Sequence, residues 1–141
     1  MKITKLGLAF ALAGVLSLGA AFSLDVQATE YKPKAEVKVK SLHKGVLTGV
    51  DSKTVIIKHF TLPAGFVGGK HFHPAYVFVY VLEGEFKVET EKGSLTVSAG
   101  ELYPEVPGMV MRGKNVSTSA PAKILVFQVG DTGKPMMVKA K

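Results

Sequence analysis

Two hydrophobic patterns occupy this chain, and they fall in separate places. From Leu6 to Leu24 the residues are apolar or small with no charge, behind Lys2 and Lys5 and ahead of Val26-Gln27-Ala28. A basic start, an apolar stretch and a small-residue end predict a secretory signal peptide over residues 1–28; an uncleaved membrane anchor is the alternative for the same run. Beyond it the apolar runs are short: Thr54 to Leu62, Tyr76 to Leu82, Phe86 to Thr90, Ser94 to Val97, Val110 to Arg112 and Lys123 to Val129. Each is rich in β-branched or aromatic residues, and turn signals such as Pro63-Ala64-Gly65, Glu83-Gly84, Lys92-Gly93, Ala99-Gly100 and Pro107-Gly108 separate them. No window sustains a helical period. Many short strands between Gly and Pro turns predict an all-β, antiparallel sandwich or barrel.

The strands differ in how they are covered. Thr54 to Leu62 is apolar on both parities in its first half and Tyr76 to Leu82 is apolar throughout, as interior strands would be. Before them, Val37 and Val39 alternate with Lys38 and Lys40, which predicts an N-terminal arm over 29–44 that ends in an edge strand, followed by one domain over 45–141. Once residues 1–28 are removed, the remainder has the size of a single domain.

Composition narrows the function classes. The chain of 141 residues carries a net charge of +7 and no cysteine. The absence of cysteine excludes disulfides, thiolate metal sites and thiol catalysis. The lysines are scattered among glutamates and Arg112 is the single arginine, so the charge reads as a solvated surface and not as a nucleic-acid footprint. With the leader cleaved, the expected location is periplasmic or secreted, with no membrane attachment. A phosphate loop is excluded because Gly65 to Gly69 lacks the Lys-Ser/Thr end and leads into a strand.

The chemistry gathers in one stretch, Gly65-Phe-Val-Gly-Gly-Lys-His71-Phe-His73-Pro74, which leads straight into the apolar run after Tyr76. Histidines two apart on a strand project from one face, a chelating geometry, and the flanking interior strands place them on the wall of a barrel where a pocket can form. His59, on the preceding strand, would be a third imidazole if it faced the same cavity. Tyr76 and Tyr80 would offer phenolic hydrogen bonds to a ligand, and Lys70 and Arg112 flank positions from which they could meet an anionic one.

Gly65, His71, His73 and Gly84, followed by Gly100-Glu101, Pro107-Gly108 and Asn115, resemble the two motifs of a single-domain cupin, the small RmlC-like double-stranded β-helix or jelly-roll barrel. The resemblance runs from about Val55 to Val129. Two positions depart from the pattern: Val77 stands where the first motif has a glutamate, and Met111 where the second has a histidine. The stretch from Glu105 through Asn115 to Lys123 is similar to that of small, often exported bacterial cupins, which lack the first-motif glutamate and keep one before the Pro-Gly turn; that implies a role for Glu105. A homodimer is implied by the same resemblance.

A transition metal, whether copper, iron, manganese, nickel or zinc, would be held by His71 and His73 with Met111 or Glu105. Two imidazoles and a thioether form a soft set that suits copper, and a carboxylate would instead favour iron. Three readings follow. The leading one is an exported barrel that binds a small molecule or a metal in a pocket built on His71 and His73. The second is a metal-dependent enzyme, dioxygenase or decarboxylase-like, using those histidines with Glu105 or Met111. The third is a metal-free structural or interaction barrel, with Met111 as core and the tyrosines as packing. No residue is assigned as catalytic at this point.

Overall fold

A computed structural model describes residues 35–141, and the expected leader over 1–28 and the start of the arm lie outside the described residues. The described chain is all β. Ten strands run in order as β1 (Lys38–Val46), β2 (Lys53–Leu62), β3 (His71–Phe72), β4 (Val77–Glu83), β5 (Glu85–Thr90), β6 (Gly93–Ser98), β7 (Leu102–Glu105), β8 (Met111–Asn115), β9 (Ala122–Asp131) and β10 (Val138–Lys139). They form two five-stranded antiparallel sheets, ordered β1-β2-β9-β4-β7 and β10-β3-β8-β5-β6. This is the antiparallel two-sheet architecture expected from the turn spacing, in the jelly-roll form that the cupin resemblance implies.

Side-chain parity explains how the sheets face each other. Along β9 the even-numbered residues Ala122, Ile124, Val126 and Gln128 are buried, while their odd-numbered neighbours are half-buried on the outward side. In β4 the buried set is Val77, Val79 and Val81, and Tyr80 and Leu82 point out. Phe86, Val88, Val97 and Met111 complete the core from the second sheet. Each fully buried valine contributes roughly 1.5–3 kcal/mol of transfer free energy, so the inward parity of β4 alone holds the strand in register.

The edges follow their chemistry. β7 carries Pro104, which has no N–H to donate and sits at the end of its sheet where none is required. β1 forms the other end of that sheet, pairing along β2 from Lys38↔Thr61 to Val46↔Thr54 with a bulge between Ser41 and His43. It bears Lys38, Lys40 and Lys44, charged residues of the kind that edge strands commonly carry. The expected edge strand therefore exists and runs two residues past the arm's predicted end. β3, β7 and β10 are too short to show a period.

Two glycines have roles that no side chain could share. Gly84 turns β4 into β5 with φ at 76°, and a Cβ there would lie 3.3 Å from Ala122. Gly113 lies under the Phe86 ring, where a Cβ would come within 2.5 Å of it.

Candidate functional site

Three segments without long strands carry the site, and backbone hydrogen bonds pin each of them. The stretch before the histidines is tied to β8 through Gly68 N–H to the Gly113 carbonyl (2.9 Å) and Asn115 N–H to the Phe66 carbonyl (3.0 Å). The His73 carbonyl accepts from Gly108 N–H at 2.9 Å, which joins the His-x-His segment to the Pro107-Gly108 turn. From the C-terminal side, β10 pairs with β3 through Lys139↔His71, and Ala140 N–H donates to the Lys70 carbonyl at 3.0 Å.

Both imidazoles are thereby fixed in one tautomer. His71 Nδ1 lies 2.9 Å from the Gly69 carbonyl and His73 Nδ1 lies 2.6 Å from the Met136 carbonyl. A carbonyl oxygen only accepts, so both Nδ1 atoms carry hydrogen and each ring turns its Nε2 to other partners. The rings meet edge to face, with centroids 5.0 Å apart.

His73 Nε2 already has its partner, a Glu105 carboxylate oxygen at 3.0 Å, with both residues about 95 % buried. Burial alone would pull the His73 pKa down. The hydrogen bond to Glu105, the Met136 carbonyl and the Glu105 charge together outweigh it and raise the pKa above the ordinary 6.5. The two side chains thus share one proton in a buried hydrogen bond, and the shift favours keeping it on the ring.

Register shows how Glu105 reaches this place. Val77 is paired with Glu105 on one side and with Gln128 on the other, so the three stand in a row on the inward face of the first sheet. The motif glutamate is absent at Val77, and a carboxylate is instead supplied one strand over, on β7. Gln128, at the other end of the row, keeps its buried Oε1 without a hydrogen-bond partner among the described residues.

His71, His73 and Glu105 line one cavity of about 470 Å³, within the range of small-molecule pockets. Its walls are apolar, with Phe60, Phe66 and Phe86 among them, and Lys58, Lys70 and Lys139 are its cationic members. The structure brings His71, His73 and Glu105 together and places the other sequence candidates elsewhere. Met111 is among the most buried side chains, packed in the core beside His71 in register and not on the cavity wall. His59 has the parity opposite to Lys58 and Phe60, Tyr80 points outward, and the exposed Tyr76 stacks on Phe78. Arg112 pairs in register with Glu89, away from the cavity. Sequence reasoning missed Lys58, Lys139 and the Met136 carbonyl. Only the even parity of Lys58 with Phe60 and Leu62 could have signalled the first.

The donor types suit a transition metal, but His73 Nε2 is occupied by its hydrogen bond to Glu105. Among the described residues no three His, Asp or Glu side chains are already arranged around one point as a bound ion would require. What the arrangement offers is a buried proton shared by two side chains, next to His71 Nε2, which has no hydrogen-bond partner among the described residues.

A two-sheet jelly roll with a histidine–carboxylate pair on its inner wall defines a class of β-barrel, and likeness to known proteins gives that class its name. The cupin domain model matches residues 58–128, half of the sequence, and the chain belongs to that family. Among solved structures it is similar to the DMSP lyase DddQ from Ruegeria pomeroyi, with TM-score 0.59 and 21% identity over 74% of this chain, which spans 51% of that one. It is also similar to an RmlC-like cupin from Methanocaldococcus jannaschii, with TM-score 0.57, 22% identity and 72% and 88% of the two chains covered. A double-stranded β-helix protein from Klebsiella pneumoniae has TM-score 0.56 and 17% identity, over 79% and 90%. At these identities the likeness is one of fold. No curated protein sequence matches the chain.

Proposed function

We propose that this is an exported cupin whose barrel cavity binds a small molecule against His71 and the His73–Glu105 pair. The observation that carries the reading is the buried His73–Glu105 pair on the wall of a largely apolar cavity. A buried ion pair is seldom more stabilising than apolar residues of the same volume. An apolar cavity likewise forgoes dispersion contacts that a filled core would make. Both features cost stability, and a ligand that fills the cavity and hydrogen-bonds to His71 Nε2 accounts for both. Export rests on the leader-like residues 1–28.

The test is a fragment screen followed through the imidazole resonances of ¹³C,¹⁵N-histidine-labelled mature protein. A binder is expected to shift His71 and His73 while leaving His59 in place. Fragments that bind only with His59 shifts, or none that bind at all, would overturn the reading.

A second reading keeps a metal, and the orientation of the two rings favours it. Histidines that ligate metals commonly donate their other N–H to a backbone carbonyl, as both rings do here. His71, His73 and Glu105 would hold the ion once His73 had lost its proton and Glu105 had turned from Nε2. The ion would supply Lewis acidity at the cavity wall, the setting for a dioxygenase or decarboxylase-like activity. Elemental analysis after loading with iron, manganese, nickel, copper or zinc decides it. About one equivalent, lost in His71→Ala and in Glu105→Ala, supports this reading. No metal under any loading condition removes it and leaves the first.

A further inference from the structure

The charges around the cavity that have no partner among the described residues are of one sign. Lys58 lies on the inward parity of β2, between Ile56 and Phe60. Lys139 is the register partner of His71, and partners across antiparallel strands share a face with Cβ atoms roughly 4.5–5.5 Å apart. Lys70 precedes His71 in the chain. Glu105 is the acidic residue on the cavity wall, and it is already engaged by His73. Four lysines elsewhere have carboxylate partners, Lys53 with Asp131, Lys87 and Lys114 with Glu89 and Lys123 with Glu83, while other surface lysines such as Lys40 and Lys92 have none among the described residues. Among the described residues, Lys58, Lys70 and Lys139 have none.

The remaining wall is apolar. Phe60, Phe66, Phe86, Val79, Ile124 and Val126 face the space between the lysines and the ion pair. Ammonium groups beside a poorly solvated cavity repel one another, and their field concentrates counter-ions of opposite sign. A neutral apolar ligand would leave that repulsion in place. A polyanion would bring more charge than the apolar wall can accommodate.

We propose that the cavity selects organic anions, molecules with one acidic head group, a carboxylate or a sulfonate, on an aryl or alkyl body. The head lies toward Lys58, Lys139 and His71, and the body packs among the phenylalanines. This rests on the small-molecule reading above and names the class of ligand.

Two fluorescent probes that differ by one group test it: 8-anilino-1-naphthalenesulfonate, and N-phenyl-1-naphthylamine, the same ring system without the sulfonate. The mature protein is expected to bind the sulfonate at one site, about tenfold or more tighter than the neutral amine, with affinity that falls as salt rises. Lys58→Gln and Lys139→Gln each weaken the sulfonate about five- to tenfold, the size of a charge-assisted hydrogen bond, and leave the amine unchanged. Lys139→Arg retains binding, and so does Tyr80→Ser, which alters the outward face of the first sheet. Equal affinity for the two probes, or sulfonate binding indifferent to both lysines, overturns the anion selectivity while leaving the pocket reading intact. If neither probe enters the cavity, the pocket reading falls and this inference with it.

Discussion

Asn115 and the His73–Glu105 pair are both buried polar groups, and they are satisfied in opposite ways. Asn115 spends its side chain on backbone: Nδ2 donates to the Pro63 and Ala120 carbonyls at 3.0 and 2.8 Å, with Leu62 at 3.3 Å, and Oδ1 accepts from Ser117 N–H at 3.0 Å. It ties the end of β2 to the loop between β8 and β9 and has no titratable neighbour in that network. His73 is tied to backbone on one nitrogen only. Its other nitrogen meets a side chain that can change charge or turn away, and it does so beside a cavity. A polar group closed by backbone is architecture, whereas one closed by a second titratable group keeps a capacity to respond.

The largest effect that would break this contrast is expected at Asn115. Asn115→Leu leaves buried carbonyls without donors and should cost about 3 kcal/mol, read as a shift in urea midpoint at constant m-value. The loss should be the same at pH 6 and pH 8. A cost under about 1 kcal/mol would show that water replaces the amide without difficulty.

Gly113, two residues away on β8, comes next because it belongs to the cavity and not to the backbone staple. Gly113→Ala drives a methyl into the Phe86 ring, and overpacking of this kind costs about 2 kcal/mol. The ring can relieve it only by moving into the cavity, so ligand affinity should fall along with stability. Unchanged binding in a destabilised variant would place Phe86 outside the ligand's reach.

The smallest effect, and the most specific, concerns the ion pair. A raised His73 pKa means that the folded state holds its proton to higher pH than the unfolded state does. The stabilisation is complete below the unfolded value near 6.5 and is lost as pH rises through the folded one, at no more than about 1.4 kcal/mol per pH unit. Glu105→Gln keeps a hydrogen-bonding group, so its cost at neutral pH should be about 1 kcal/mol. It should also flatten that slope. A slope that survives the substitution would mean another group titrates there.

Much of the fold is legible in the order of residues alone. Gly84, Gly93, Gly100 and Gly108, read as turn formers from their neighbours, all have positive φ. The six apolar runs all form strands, with ends displaced by a few residues, because short β-branched and aromatic runs between Gly and Pro turns leave the chain little alternative to a strand. The two-residue β3 and β10 are too short to carry any period and exist only because neighbouring strands supply hydrogen bonds. Within the site, His71 and His73 stand out by their spacing. Glu105 is legible only as one candidate carboxylate, and whether it faces in or out depends on its register with Val77.

Local pattern therefore determined, without tertiary information, that this chain is an antiparallel β sandwich or barrel with two histidines on its wall, and the resemblance of its motifs added the cupin kind. Strand parity and turn chemistry act between residues close in sequence, so they are written into it directly. The partners of those histidines were decided by tertiary structure alone. His73 meets Glu105 from β7 and a carbonyl 63 positions away, and Lys139 reaches His71 through a strand of two residues. Met111 stayed in the core because its β8 register turns it among valines and not toward the cavity. Such contacts are set by how sheets stack and where edge strands dock. No spacing along the chain encodes them.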